Sequence, residues 1–128
     1  MRFTHQFDKS RIMEKMDAIA ALSALGQETR LDVFRMLVRA GPGGIAAGDL
    51  AERLGVRSNT LSTHLAVLVR AGLIASEREG RTILYRAEFD GARALIGFLV
   101  GDCCADRPEL CAPFIAGLPG ALPVKAGS

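Results

Sequence analysis

All three cysteines of this 128-residue chain lie in the stretch "CCADRPELC", as Cys103, Cys104 and Cys111. Thiolates are the soft ligands of the protein repertoire, so a cluster of them suits a soft, thiophilic ion. Two other uses stay open. Cys111 can form a disulfide with Cys103 or Cys104, leaving one odd thiol, or all three can pack as small apolar side chains. Cys103 and Cys104 are neighbours at an expected helix end, about 100° apart around its axis. Pro108 removes a backbone donor and disfavours further helix, so the chain can turn back and bring Cys111 to the pair. With the thiols so close in sequence, a site they share is expected within one chain. Enzymatic uses of cysteine fit poorly. There is no Cys-x-x-Cys and no glycine-rich phosphate loop, and Glu109 and Leu110 stand where a phosphatase loop would need its arginine. Neither an enzyme nor an organic cofactor is expected.

A second set of residues suits phosphates and base edges. Leu61, Leu65 and Leu68 recur at helical spacing, which leaves Asn59, Thr60, Thr63 and, further on, Arg70 on the outer face, with Ser62 on the flank. Arg57 precedes this helix, and Ser58 or Asn59 is expected to cap it through a side-chain oxygen. Small hydroxyl and amide side chains at a helix N-terminus can approach a major groove. His64, one turn after Leu61, is expected to pack or to hold a phosphate, not to read a base. Arg78 and Arg81 flank Gly80, where a hairpin tip would touch phosphate or minor groove. They could instead pair with Glu77 and Glu79. The net charge of +2 is too small to mark a nucleic-acid binder, but four arginines and two glutamates between Arg57 and Arg81 make this segment locally basic.

The elements that must position these groups follow from periodicity and breaks. Residues 1–10 read as a flexible arm. Ile12, Met16, Ile19, Leu22 and Leu25 predict a helix over about 11–25, stopped by Gly26. A second is expected over about 28–40, with Leu31, Phe34, Leu37 and Val38 on one face, before the break "GPGG". A short helix over about 46–54 has Leu50 and Leu54 inward, and Gly55 supplies the turn into the helix of about 58–71, closed by Gly72. "LIASERE" and "RTILYRA" read as two strands joined at Glu79-Gly80. Phe89, Ala92, Leu95, Ile96, Leu99 and Cys103 predict a last helix over about 89–103, ahead of a tail with Pro113, Pro119 and Pro123. Hydrophobic residues make up 49% of the chain, with no Trp and one Tyr, so the core is expected to be aliphatic. The charged start of the chain lacks the apolar core of a signal peptide, and the run "ALIGFLVG" is too short to cross a bilayer. A cytosolic protein with no membrane partner is therefore expected, where thiols stay reduced and serve metal or redox chemistry.

Two helices joined by a short turn and followed by a hairpin predict a mainly α fold with a β-hairpin wing, a winged helix-turn-helix. "LSTHLAVLVRAGLI" with "EREGRTILYR" behind it resembles the ArsR/SmtB family of bacterial metalloregulatory repressors, over roughly residues 15–104. The resemblance implies a homodimer, with the first and last helices at its interface, that binds double-stranded operator DNA and leaves it when a metal or metalloid binds. It implies DNA contacts from Arg57, Ser58, Asn59, Thr60, Ser62, Thr63, His64, Arg78 and Arg81. The Cys-x-Cys arsenic site of some members is absent, because "GDLAERLG" has no cysteine. The Asp/His zinc site of the last helix is absent too, because no histidine follows His64. "CCADRPELC" resembles instead the arsenic repressors whose cysteines lie at the end of the last helix. Three thiolates without an imidazole suit trigonal arsenic(III) or antimony(III), whereas zinc prefers four ligands. The expected organisation is an arm at 1–10, a DNA-binding and dimerisation domain at 11–104, and a metalloid-binding segment with an irregular tail at 105–128. The alternative is a winged-helix regulator whose thiols sense oxidants.

Overall fold

The computed structural model describes residues 13–106, with side chains described from 13 to 100. The arm, the tail, Ile12 and Cys111 lie outside the described residues. Helices α1 (Lys15–Leu25), α2 (Glu28–Ala40), α3 (Ala47–Leu54), α4 (Ser58–Arg70) and α5 (Phe89–Asp106) and strands β1 (Ile45–Ala46), β2 (Ile74–Glu79) and β3 (Thr82–Ala87) follow in the order α1-α2-β1-α3-α4-β2-β3-α5. The chain divides into two compact units, one ending at Leu95 and one beginning at Ile96. The first holds the helix-turn-helix and the hairpin. Of the second, the described residues are the continuation of α5.

Aliphatic side chains build the first unit's core. Val33, Leu37, Leu50, Leu61, Leu65, Leu68, Leu73 and Ile74 are fully buried, and no polar side chain is buried among the described residues. Each such aliphatic group taken out of water stabilises by about 1.5–3 kcal/mol. The expected stripe of α4, Leu61, Leu65 and Leu68, is the one that faces this core.

The other stripes divide differently. On α1 the buried residues are Ala18, Ala21 and Ala24, while Met16, Ile19 and Leu22 are 71%, 49% and 45% exposed. Alanine's small side chain lets α1 lie close against α2 and α4, and the larger apolar residues are left facing outward. On α2, Val33 and Leu37 go inward and Phe34 is half-buried, but Leu31 and Val38 form a separate exposed ridge two turns long. Several apolar ridges run along each helix, and periodicity does not choose which one meets the core.

The turn between α3 and α4 needs Gly55. Its φ of 66° is left-handed, and the N–H groups of Gly55 and Val56 bond back to the carbonyls of Ala51 and Glu52. The hairpin pairs Ile74 with Ala87 through to Glu79 with Thr82, leaving Gly80 and Arg81 as a two-residue link. A strand absent from the sequence reading completes the sheet. β1 pairs Ile45 with Tyr85 and Ala46 with Leu84, giving the order β1-β3-β2. Two residues are too few to show alternation, but they tie the start of α3 directly to the hairpin. The last helix runs past its expected end at Cys103 to Asp106.

Candidate nucleic-acid interface

Helix α4 turns its leucines inward, so its opposite face is polar by construction. Arg57 takes the N-cap in extended backbone, and its carbonyl accepts from the Leu61 N–H at 2.9 Å. The expected side-chain cap from Ser58 or Asn59 is not made. Ser58 is already the first helical residue, and the Asn59 Oδ1 accepts from the adjacent Thr60 N–H at 2.8 Å instead. With no cap from the N-cap side chain, the positive end of the α4 dipole is left for an outside anion.

Four of the sequence-predicted residues share one open concavity: Asn59, Thr60, Thr63 and His64. The Thr63 hydroxyl donates to the Asn59 carbonyl at 3.3 Å, which steadies the first turn without burying either side chain. Ser58 and Ser62 lie together in a neighbouring concavity, closed by Leu61 and Leu65 below and by Ile83 and Tyr85 of β3 at the side. The hairpin thus walls one flank of α4. Burial raises the pKa of the half-buried Tyr85 above the ordinary tyrosine value of 10.0.

Arg78 and Arg81 are exposed at the hairpin tip. Among the described residues neither forms an ion pair with Glu77 or Glu79. Glu77 is engaged by Arg86 of the neighbouring strand at 3.4 Å, and Arg78 reaches only the Gly80 carbonyl, also at 3.4 Å. Both tip guanidiniums can therefore turn to an external phosphate. The arrangement offers hydroxyl and amide groups on a protruding helix, with cations on a wing beside it. That combination fits one helix in a major groove and a wing over the backbone.

His64 lies half-buried on the inner edge of the first concavity, the side the sequence indicated. Its partner was not foreseen. Arg30, in the first turn of α2, donates from Nε to the Ala24 carbonyl at 2.6 Å and from Nη2 to the Ser23 carbonyl at 3.4 Å. Its Nη1 lies 3.2 Å from His64 Nδ1. The signal was present in principle. A helix ending at Gly26 leaves open carbonyls, and a cation four residues later can reach them.

Cys103 and Cys104 fall in the last turns of α5. Cys111 lies outside the described residues, as does any approach of the three sulfurs to one another. No described helix is long and apolar enough to cross a membrane.

Comparison with known proteins places this geometry. Residues 25–77 match a family profile described as a helix-turn-helix domain. The transcriptional activator HlyU of Vibrio cholerae is 34% identical over 89 residues, covering 68% of this chain and 80% of that protein. Its solved structure superposes with a TM-score of 0.55 at 33% identity, over 68% of this chain and 97% of that one. A structure of reduced HlyU also matches, with a TM-score of 0.51 at 28% identity, over 66% and 88%. An ArsR-like transcriptional regulator from Rhodococcus sp. RHA1 gives 0.60 at 26% identity, over 82% and 95%. The homodimeric winged helix-turn-helix DNA-binding domain of a possible ArsR-family regulator from Mycobacterium bovis gives 0.54 at 26%, over 68% and 80%.

Proposed function

Because the chain belongs to the ArsR/SmtB family of winged helix-turn-helix transcriptional regulators, we propose that it is a repressor released from operator DNA by arsenic(III) or antimony(III). The observation that carries the DNA half is the polar face of α4, where Asn59, Thr60, Thr63 and His64 share one concavity beside a wing tipped by Arg78 and Arg81. In this reading Arg57 and Ser58 meet the backbone at the start of α4, Ser62 lies along its flank, and the two tip arginines hold phosphates. Two copies would present two such faces to half-sites about one DNA turn apart. The exposed apolar residues Met16, Ile19 and Leu22 of α1 support pairing with a second copy, as do Ile96, Phe98 and Leu99 of α5, taken separately.

The sensing half rests on chemistry. Cys103, Cys104 and Cys111 are all the thiols of the chain, and they fall on and just after the last turns of α5. Three thiolates match the preference of arsenic(III) for three sulfurs, while no imidazole stands nearby in sequence to complete a zinc tetrahedron. Gathering Cys111 onto the pair would reshape the end of α5 and the way two copies meet. A coupling of about 1–3 kcal/mol, a 5- to 150-fold change in DNA affinity, is enough for a switch. Arsenite titration of the reduced protein should give sulfur-to-arsenic absorbance that saturates at one equivalent per chain and falls sharply in each single Cys→Ser variant. Saturation unchanged in Cys111→Ser would refute the three-thiol site.

A second reading, a thiol-based redox regulator, is favoured by one observation: a relative, HlyU, has been solved in a form named as reduced. Loss of DNA binding on mild oxidation, reversed by reductant and indifferent to arsenite, would select it.

A further inference from the structure

The Arg30 guanidinium on α2 reaches both the end of α1 and the side of α4. Nε and Nη2 are committed to the Ala24 and Ser23 carbonyls at the end of α1, at 2.6 and 3.4 Å. These bonds fix the plane of the group and place a positive charge at the negative end of the α1 dipole. The backbone N–H of Arg30 donates to the Gln27 side chain at 2.9 Å, which caps the start of α2. The remaining Nη1 then faces Nδ1 of His64 on α4 at 3.2 Å.

A guanidinium carries only donors and stays charged. The imidazole nitrogen facing it must therefore be the acceptor, which leaves the ring's single proton on Nε2. His64 also borders the concavity formed with Asn59, Thr60 and Thr63. We propose that Arg30 is a positioning residue for DNA binding. By accepting nothing and donating to Nδ1, it holds His64 in the Nε2–H tautomer, so that the ring offers a donor to a phosphate or base oxygen of the operator. The same link ties the end of α1 to the recognition helix. Released from it, the ring would divide its proton between two nitrogens and spend part of its population as an acceptor, which repels those oxygens.

The inference rests on the DNA-binding reading above, and its test separates the two. ¹⁵N NMR of the imidazole in the free protein needs no DNA. The wild type should show a protonated Nε2 and an unprotonated Nδ1, and Arg30→Met should show both tautomers. A protonated Nδ1 in the wild type, or a ring unmoved by Arg30→Met, would overturn the proposal even if DNA binding is intact. Conversely, if the wild type fails to bind DNA from upstream of its own gene, the DNA reading falls while the tautomer result still decides what Arg30 does. On that duplex, Arg30→Met should weaken binding about twofold per half-site and about fourfold for a dimer, the cost of a donor tautomer present in about half of the rings. It should add little in a His64→Asn background, where the amide keeps a group facing Arg30 but nothing stands at the Nε2 position. Equal loss in both backgrounds would mean that Arg30 serves only to hold α1, and the proposal would fail. Should Arg30→Met not fold, His64→Gln, which keeps an amide donor near the Nε2 position, should bind within a few-fold of wild type while His64→Asn loses about tenfold. Equal binding by the two would overturn the proposal.

Discussion

Replacing Arg78 or Arg81 with alanine gives a quantitative test of the wing. Both side chains are exposed at the tip of a two-residue link, and the single bond Arg78 makes there, to the Gly80 carbonyl, is long at 3.4 Å. Of the two acidic neighbours that could have neutralised them, Glu77 is held by Arg86 on the other strand, and Glu79 forms no ion pair with either arginine among the described residues. Each substitution should therefore leave folding stability within about 0.5 kcal/mol of wild type. DNA binding should respond differently. In a dimer each single substitution removes two phosphate contacts, so the slope of log K against log salt should flatten by about 1.8. Between about 50 and 200 mM salt that difference amounts to roughly a tenfold narrowing of the affinity gap between wild type and variant. Fluorescence anisotropy across a potassium chloride series, on operator and unrelated duplexes, reads it directly. Because phosphate contacts carry no sequence information, the flattening should be the same on both. Parallel salt dependences for wild type and variants would refute a phosphate-binding wing.

Three further outcomes follow from the packing. A Cβ built on Gly91, at the start of α5, collides with the Gly72 carbonyl, whereas one on Gly48 of α3 meets nothing within 4 Å; Gly91→Ala should cost about 1–3 kcal/mol and Gly48→Ala should gain up to about 1 kcal/mol, read as opposite shifts in thermal midpoint. Ile19→Asp and Leu22→Asp, on the exposed stripe of α1, should leave the circular dichroism of the fold intact and shift the chain to monomer in sedimentation; a dimer unchanged by both would remove α1 from the interface. Tyr85 is the single tyrosine, and its pKa is raised by burial, so the folded state keeps its proton at a pH where the unfolded chain has lost it. The Tyr85 contribution to stability should be constant below about pH 10 and be lost as pH rises through its raised pKa, a part of the alkaline slope that Tyr85→Phe removes.

Helix α4 was the most legible part of the chain. Three leucines at helical spacing, a glycine at the turn and a second glycine at the close each answer to a local rule, and Leu61, Leu65, Leu68 and Gly55 do what those rules require. The hairpin was equally plain, because two strand-like runs containing Ile74, Thr82, Ile83 and Tyr85 are joined at Gly80. Where tertiary context decides, the sequence was less informative. Met16, Ile19 and Leu22 form a fine apolar stripe, yet the core takes the alanines beside them. A stripe meant for a second copy and one meant for the chain's own core look alike. β1 was hidden because two residues carry no period, and Arg30 because its partners on α1 and α4 converge only in the fold. The outer face of α4 was legible from its leucine stripe, not from individual chemistry, which is why His64 could be put on the inner edge of that face while its neighbour Arg30 could not be named.

In the proposed function one soft ion, held by thiolates at the end of α5, controls the affinity of a DNA-binding face built on α4 and the wing. Anisotropy of the reduced protein on DNA from its own promoter region, titrated with arsenite beside the Cys111→Ser variant, tests it most directly. Arsenite should release the wild-type protein and leave the variant bound. Tight binding by both at saturating arsenite would contradict it.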